Sequence, residues 1–158
     1  MAKGDIGNRP YIGTKMLLAR SMTRGEYNAY RGWTPPEGED QSVGGQLVTY
    51  LDGYESWSPD TAFEAYEPLD AMSFGHALHF LQDGAKVARA GWNGAGMFVY
   101  MVPAASYPVQ TGAAKSQFGE GALVPYRAYL ALKTAQDDVA TWAPSCSDVL
   151  AHDWYIVP

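Results

Sequence analysis

Two short apolar runs, Lys86 to Ala90 and Met97 to Val102, flank the stretch Gly91-Trp92-Asn93-Gly94-Ala95-Gly96. Three glycines in six residues cannot continue either a strand or a helix, so the chain must reverse there and the two runs must pair antiparallel. The reversal leaves a large indole at the tip of a turn, where glycines let backbone approach a ligand and little core is expected to fill around the ring.

A helix precedes the hairpin. Ser73 is a good N-cap, Phe74, Ala77, Leu78 and Leu81 recur at helical spacing on one face, and Gly84 supplies a stop. After the hairpin, residues 103–121 are rich in Ala, Gly, Ser and Pro. The segment is long for a compact domain, so it reads as a mobile excursion or a functional lid. Strand character returns at Tyr126 to Lys133 and at Val139 to Trp142, across the polar turn Ala135 to Asp138. A capped helical turn is expected at Ser145 to Ala151 and a last strand at Trp154 to Val157.

Upstream, residues 13–68 read as a separate module behind a flexible leader, residues 1–12. Met16 to Ala19 suits a strand, and Thr23 can cap a helical turn carrying Glu26, Tyr27 and Tyr30. Pro35 to Gly45 reads as a solvated loop, and Asp52-Gly53 between apolar runs signals a hairpin. A helical segment is expected from Asp60 to Tyr66, with the junction at Pro68 to Ala71. The fold expected is therefore α+β: a small antiparallel sheet with one main helix in residues 69–158, preceded by a small α+β unit with a hairpin.

Composition narrows the chemistry. The chain of 158 residues carries a net charge of -6, with ten acids against six bases up to residue 69 and seven against five beyond it. Long nucleic acid is an unsuitable partner, because phosphate neutralisation needs clustered Lys and Arg. A small anionic ligand needs only two or three donors and a few backbone N–H groups. One cysteine, Cys146, precludes an intrachain disulfide, which fits a reducing cytoplasm, and no apolar run reaches bilayer-spanning length. Neither secretion nor membrane insertion is expected.

Catalytic signatures are poor. His76 and His79 are close enough on one helix to share a metal, but no third ligand is evident, and two surface histidines are the simpler reading. His152-Asp153 would point to opposite faces if they lay in a strand. The Gly91–Gly96 stretch has neither the intervals nor the following helix of a dinucleotide fingerprint, and no P-loop is present. No catalytic residue, metal ligand or cofactor is assigned.

What the sequence does offer is an aromatic and amide set. Trp92, Trp142, Trp154, Tyr126 and Tyr129 present flat faces on which a base can stack. Asn93 can read a base edge or ribose, Asp148 and Asp153 can accept from ribose hydroxyls, and Arg89 and Arg127 can fork onto phosphate.

The runs MSFGHALHFLQDGAKVARAGWNGAGMFVYMVP (72–103) and LALKTAQDDVATWAPSCSDVLAHDWYIVP (130–158) carry a resemblance. Their helix, GWNG turn, LKTA strand and closing SxSDxLAxDW segment follow the order found in the phage Thoeris anti-defence sponge family of the second type. The resemblance implies a cytoplasmic homotetramer in the infected host that binds a cyclic ADP-ribose signal, glycocyclic ADP-ribose among them, without cleaving it. It also implies that cyclic di- or trinucleotides are possible ligands, and that Trp92, Asn93, Ser147, Asp148, Asp153 and Trp154 lie near ligand, with Arg89 or backbone N–H groups meeting phosphate. Two departures stand out: the family often has an acid where His76 stands, which leaves the Ser73 cap without its reciprocal partner, and Cys146 takes a position often held by Gln. The upstream module resembles one common in phage proteins. Its MTRGEYNAYRGW stretch, with Arg24, Tyr27, Arg31 and Trp33, reads more simply as a packed helix edge than as a partner surface. Two alternatives remain open: a cyclic nucleotide hydrolase using Asp148, Asp153 or His152, and a structural or regulatory phage protein that binds another protein.

Overall fold

The computed structural model describes residues 12–158, so the expected leader lies outside the described residues except for Ile12. The described chain divides into two compact units, one ending at Tyr66 and the other running from Glu67 to Pro158. Both are α+β with antiparallel sheets.

In the first unit, β1 (Leu17–Ser21), β2 (Gly45–Tyr50) and β3 (Glu55–Pro59) form a sheet in that order. Helix α1 (Arg24–Arg31) starts in a complete capping box. Thr23 Oγ1 accepts the Glu26 N–H at 3.2 Å, and Glu26 Oε2 accepts the Thr23 N–H at 2.7 Å. Gly32, at φ 66°, ends the helix in the left-handed conformation that glycine adopts without penalty. The β2–β3 turn falls at Asp52-Gly53 as the sequence signalled.

The stretch from Pro35 to Gly44 is a largely exposed loop, as expected, but it is tied to α1 through the partly buried Glu39 and Gln41. Buried Asn28 donates to Glu39 Oε2 at 2.7 Å and Gln41 Oε1 at 2.9 Å, Arg24 Nε donates to Glu39 Oε1 at 2.8 Å, and the Gly25 N–H reaches Gln41 O at 2.9 Å. A buried amide must find partners, and this segment supplies them. The last helical segment is shorter than expected, with α2 covering Asp60–Phe63 only. Met22, Tyr27 and Leu47 form the core with Trp57 against it, and the Arg24 guanidinium lies 5.3 Å above the Trp57 ring. Arg24 and Tyr27 are thus inward residues, as a packed helix edge requires, whereas Arg31 and Trp33 of the same stretch are exposed.

In the second unit, α3 (Phe74–Gln82) is followed by β4 (Lys86–Arg89), β5 (Phe98–Val102), β6 (Ala105–Pro108), α4 (Gly112–Phe118), β7 (Leu123–Tyr126), β8 (Tyr129–Lys133), β9 (Val139–Trp142), α5 (Cys146–Val149) and β10 (Trp154–Val157). Five strands make one antiparallel sheet in the order β10-β4-β5-β8-β9. The periodicity read for α3 holds: Ala77 and Leu81 are fully buried against Met72, Val87, Val99 and Trp154, while Phe74 and Leu78 pack at the margin.

Residues 103–121 are not structureless. Strands β6 and β7 pair into a two-stranded ribbon with α4 between them, capped by Thr111. The strand expected from Tyr126 to Lys133 is consequently split at Arg127-Ala128. Residues up to Tyr126 pair with β6, whereas those from Tyr129 pair with β5 and β9, so one continuous strand cannot serve both sheets. No helix among the described residues is long and apolar enough to cross a membrane.

Candidate functional site

The register of the five-stranded sheet collects chemistry at one end. Trp154 at the start of β10 lies opposite Arg89 at the end of β4, and Phe98 at the start of β5 lies opposite Lys133 at the end of β8. The Gly91–Gly96 turn, the start of β10 and the β8–β9 turn therefore crowd together, and α5 joins them because it leads directly into β10.

Arg89 is the hub of this end. Its Nε donates to Asp153 Oδ1 at 2.8 Å and its Nη1 to Asp148 Oδ1 at 2.9 Å, with a longer 3.5 Å contact from Nη2 to Asp153 Oδ2. Asp153 Oδ2 also accepts the Gly91 N–H at 2.7 Å, which ties the turn to the closing segment. A Cβ on Gly91 would lie 2.8 Å from that same oxygen, so the close approach requires glycine.

Asp148 does double duty. Its Oδ2 accepts from Ser145 N at 3.0 Å and Ser145 Oγ at 2.7 Å, completing the capping box of α5, while Oδ1 accepts from Arg89 and from Trp92 Nε1 at 3.3 Å. Burial alone would push its carboxyl up, but the hydrogen bonds from Ser145, Arg89 and Trp92 prevail and hold it at about 2. Asp153 is likewise lowered, chiefly by its hydrogen bond from Arg89, and Arg89 is raised by Asp153 and then Asp148. One cation between two carboxylates leaves this cluster with a net negative charge.

Behind the cluster stands a cage of rings. Trp92 meets Trp154 at 5.5 Å and Trp142 at 6.2 Å between centroids, both edge to face, and Phe74 closes on Trp154 at 5.4 Å. Trp92 thus fills the margin of the core, contrary to the expectation that a turn indole would have little to pack against. Trp154 is 0% exposed and donates from Nε1 to Asp148 O at 3.0 Å, so it presents no face to a ligand and braces the site from beneath. Of the remaining expected residues, Asn93 and Ser147 are exposed, and Ser147 Oγ lies 2.8 Å from Ser145 Oγ.

The structure therefore brings together Arg89, Trp92, Asp148, Asp153 and Trp154, with Asn93 and Ser147 adjoining them in sequence. Trp142 joins the cage, but Tyr126 stands apart, paired with Tyr107 in the β6–β7 ribbon. Sequence reasoning gave Asp148 a ribose contact and missed its structural role, although Ser145-x-x-Asp148 has capping-box spacing. It missed Glu67 altogether. This carboxylate accepts the Ser73 N–H at 2.6 Å and pairs with His76 Nδ1 at 2.6 Å, while the Ser73 side chain makes no capping bond. Burial raises the Glu67 carboxyl, but His76 and Ser73 leave it below its usual range. An acid six residues upstream thus serves the helix start that His76 cannot, and no local spacing signals it.

The histidines do not converge on a metal. His76 faces Glu67, His79 Nε2 lies 3.6 Å from Asp83, and exposed His152 is 3.8 Å from Glu67 Oε1. Among the described residues no group of three His, Cys, Asp or Glu side chains is arranged to hold a metal ion. Two open concavities lie away from the tryptophan cage. One of about 520 Å³ is lined by Leu69, Asp70, Tyr155 and Ile156, and one of about 360 Å³ lies along β5 beside Lys86, Phe98 and Lys133.

Comparison with known proteins places this arrangement. Residues 72–157 match the model of the Tad2-like family, described as the Thoeris anti-defense 2-like domain. A protein of Bacillus phage SP01 named Thoeris anti-defense 2 is 40% identical over 89 residues, which span 54% of this chain and 94% of that relative.

Proposed function

The chain belongs to the Thoeris anti-defense 2-like family, and from that premise we propose that its second unit sequesters a cyclic ADP-ribose-type immune signal, glycocyclic ADP-ribose being the form we favour. In this reading it acts in the cytoplasm of the infected host and leaves the ligand uncleaved. Cyclic di- or trinucleotides are further candidate ligands of the same chemical class.

One observation carries the reading: the GWNG turn is bound to the closing acidic segment through Trp92 Nε1, Arg89 and the Gly91 N–H. The indole is held in position before any ligand arrives, which limits the ordering cost of binding, and the exposed amide of Asn93 adjoins it in sequence. Nanomolar retention corresponds to about -12 kcal/mol, within reach of stacking plus several polar contacts in a closed site.

The same hydrogen bonds argue against proton transfer. Both oxygens of Asp148 and both of Asp153 already accept from protein donors, and neither carboxyl is poised near neutral pH. A binder needs fixed dipoles, whereas a hydrolase needs an acid or base free to exchange a proton.

The concavities described above do not include Trp92, Asp148 or Asp153. Closure of the site in this reading comes from neighbouring copies in a homotetramer. The test is retention: protein incubated with a cyclic ADP-ribose mixture, washed and denatured, should release intact ligand by mass spectrometry. Recovery of a hydrolysed product would establish an enzyme instead, and failure to retain any nucleotide at micromolar protein would remove the sponge reading.

A further inference from the structure

The proposed ligand carries a pyrophosphate, and the cluster around Arg89 cannot balance its charge. Both carboxylates hold Arg89 tightly, and the three groups together are net negative. Resting on the sequestration reading, we propose that Lys133 is the phosphate-binding cation of this site, acting beside the backbone N–H groups of Gly94 to Gly96.

The second unit has five Lys and Arg residues, and four are placed or occupied elsewhere. Arg89 is engaged as described. Lys86 lines the same concavity as Lys133 beside β5, but it begins β4, away from the turn, and its ammonium is occupied, bonded to Pro158 O and stacked on Phe98 at 5.4 Å. Lys115 pairs with Glu120 within the α4 region. Arg127 precedes β8, whose first residue Tyr129 lies opposite Val102, at the end of the sheet away from the turn.

Lys133 remains, and it touches the turn. Its Nζ lies 3.6 Å from where a Cβ on Gly96 would stand, and Gly96 adopts φ 66°. A bare glycine there leaves both the ammonium and the neighbouring amides open to an oxyanion. Asp137 now pairs with Lys133 at 2.5 Å, but that carboxylate is 84% exposed. An exposed pair of this kind exchanges readily for a doubly charged phosphate. The ring and hydroxyl contacts would then lie on the Trp92 side of the turn and the phosphate contacts on the Lys133 side.

The experiment uses the full chain and two probes, the glycocyclic form of cyclic ADP-ribose by titration calorimetry and inorganic pyrophosphate by amide NMR. Lys133→Gln should weaken cyclic ADP-ribose binding about tenfold and flatten its salt dependence, while Lys133→Arg should bind nearly as wild type. Pyrophosphate should shift the Gly94, Ala95 and Gly96 amide signals in wild type and not in Lys133→Gln. Unchanged affinity and salt dependence in Lys133→Gln would overturn the assignment to Lys133 alone. A wild type that binds neither glycocyclic ADP-ribose nor any component of a cyclic ADP-ribose mixture would overturn the sequestration reading, and the pyrophosphate shifts would then decide Lys133 on their own, their absence in wild type counting against it.

Discussion

The indole N–H of Trp92 points at Asp148 Oδ1 across 3.3 Å, joining the tip of a glycine turn to the first turn of a short helix 56 residues later. Because the other oxygen of Asp148 caps α5, one carboxylate fixes both the helix and the ring.

Trp92→Ala should abolish retention of cyclic ADP-ribose and also lower thermal stability, by about 2 kcal/mol for a half-buried indole. Trp92→Phe should keep an aromatic face smaller than the indole and lose the N–H bond to Asp148, so it should retain ligand more weakly with a smaller loss of stability. Equilibrium dialysis alongside thermal melts separates the two effects. Normal retention by the Ala variant would remove Trp92 from the site.

Asp148→Ala should destabilise the second unit by about 3 kcal/mol, because it leaves Arg89 short of a partner and α5 without its capping carboxylate. Denaturant titration measures this. A loss under about 1 kcal/mol would show that the network contributes little to folding.

Acid should act through the same group. The Asp148 carboxyl is lowered in the folded protein from 3.8 to about 2, so its contribution is present above pH 3.8 and disappears as pH falls through about 2. The size of that contribution is about 2 kcal/mol. Denaturation curves at stepped pH should show the decline in wild type and a shallower one in Asp148→Asn.

The two longer helices should respond differently to loss of their cap side chains. Thr23→Ala removes the hydroxyl half of a working box, leaving the Glu26 carboxylate on the backbone N–H of residue 23, and should cost about 1 kcal/mol, whereas Ser73→Ala should cost only a few tenths, since Glu67 and not Ser73 Oγ serves that start. Glu67→Ala should reproduce the loss that Ser73→Ala does not, again by denaturant titration.

Much of the fold was legible wherever the controlling interactions were local. The Phe74, Ala77, Leu78, Leu81 spacing, the Thr23-x-x-Glu26 box and the Asp52-Gly53 turn each operate within a few residues, and each appears as read. The split at Arg127 escaped notice because it depends on which strands β7 and β8 pair with, and pairing partners leave no mark in local periodicity. Within the candidate site, the juxtaposition of the GWNG turn and the closing segment is present, but several roles inverted. Trp154 reads as a platform and is a buried brace; Arg89 reads as a phosphate fork and is saturated by acids. Burial and competition for donors are properties of the assembled fold, and a residue type alone does not reveal them.

The Glu67 anchor bears on where the protein can be cut. Any excised fragment meant to represent the second unit must begin at or before Glu67, because a start at Pro68 would strip α3 of the carboxylate that receives the Ser73 N–H and holds His76. A boundary drawn at the first residue of the family match, Met72, would produce a polypeptide carrying every recognisable motif and lacking the side chain that seats its main helix.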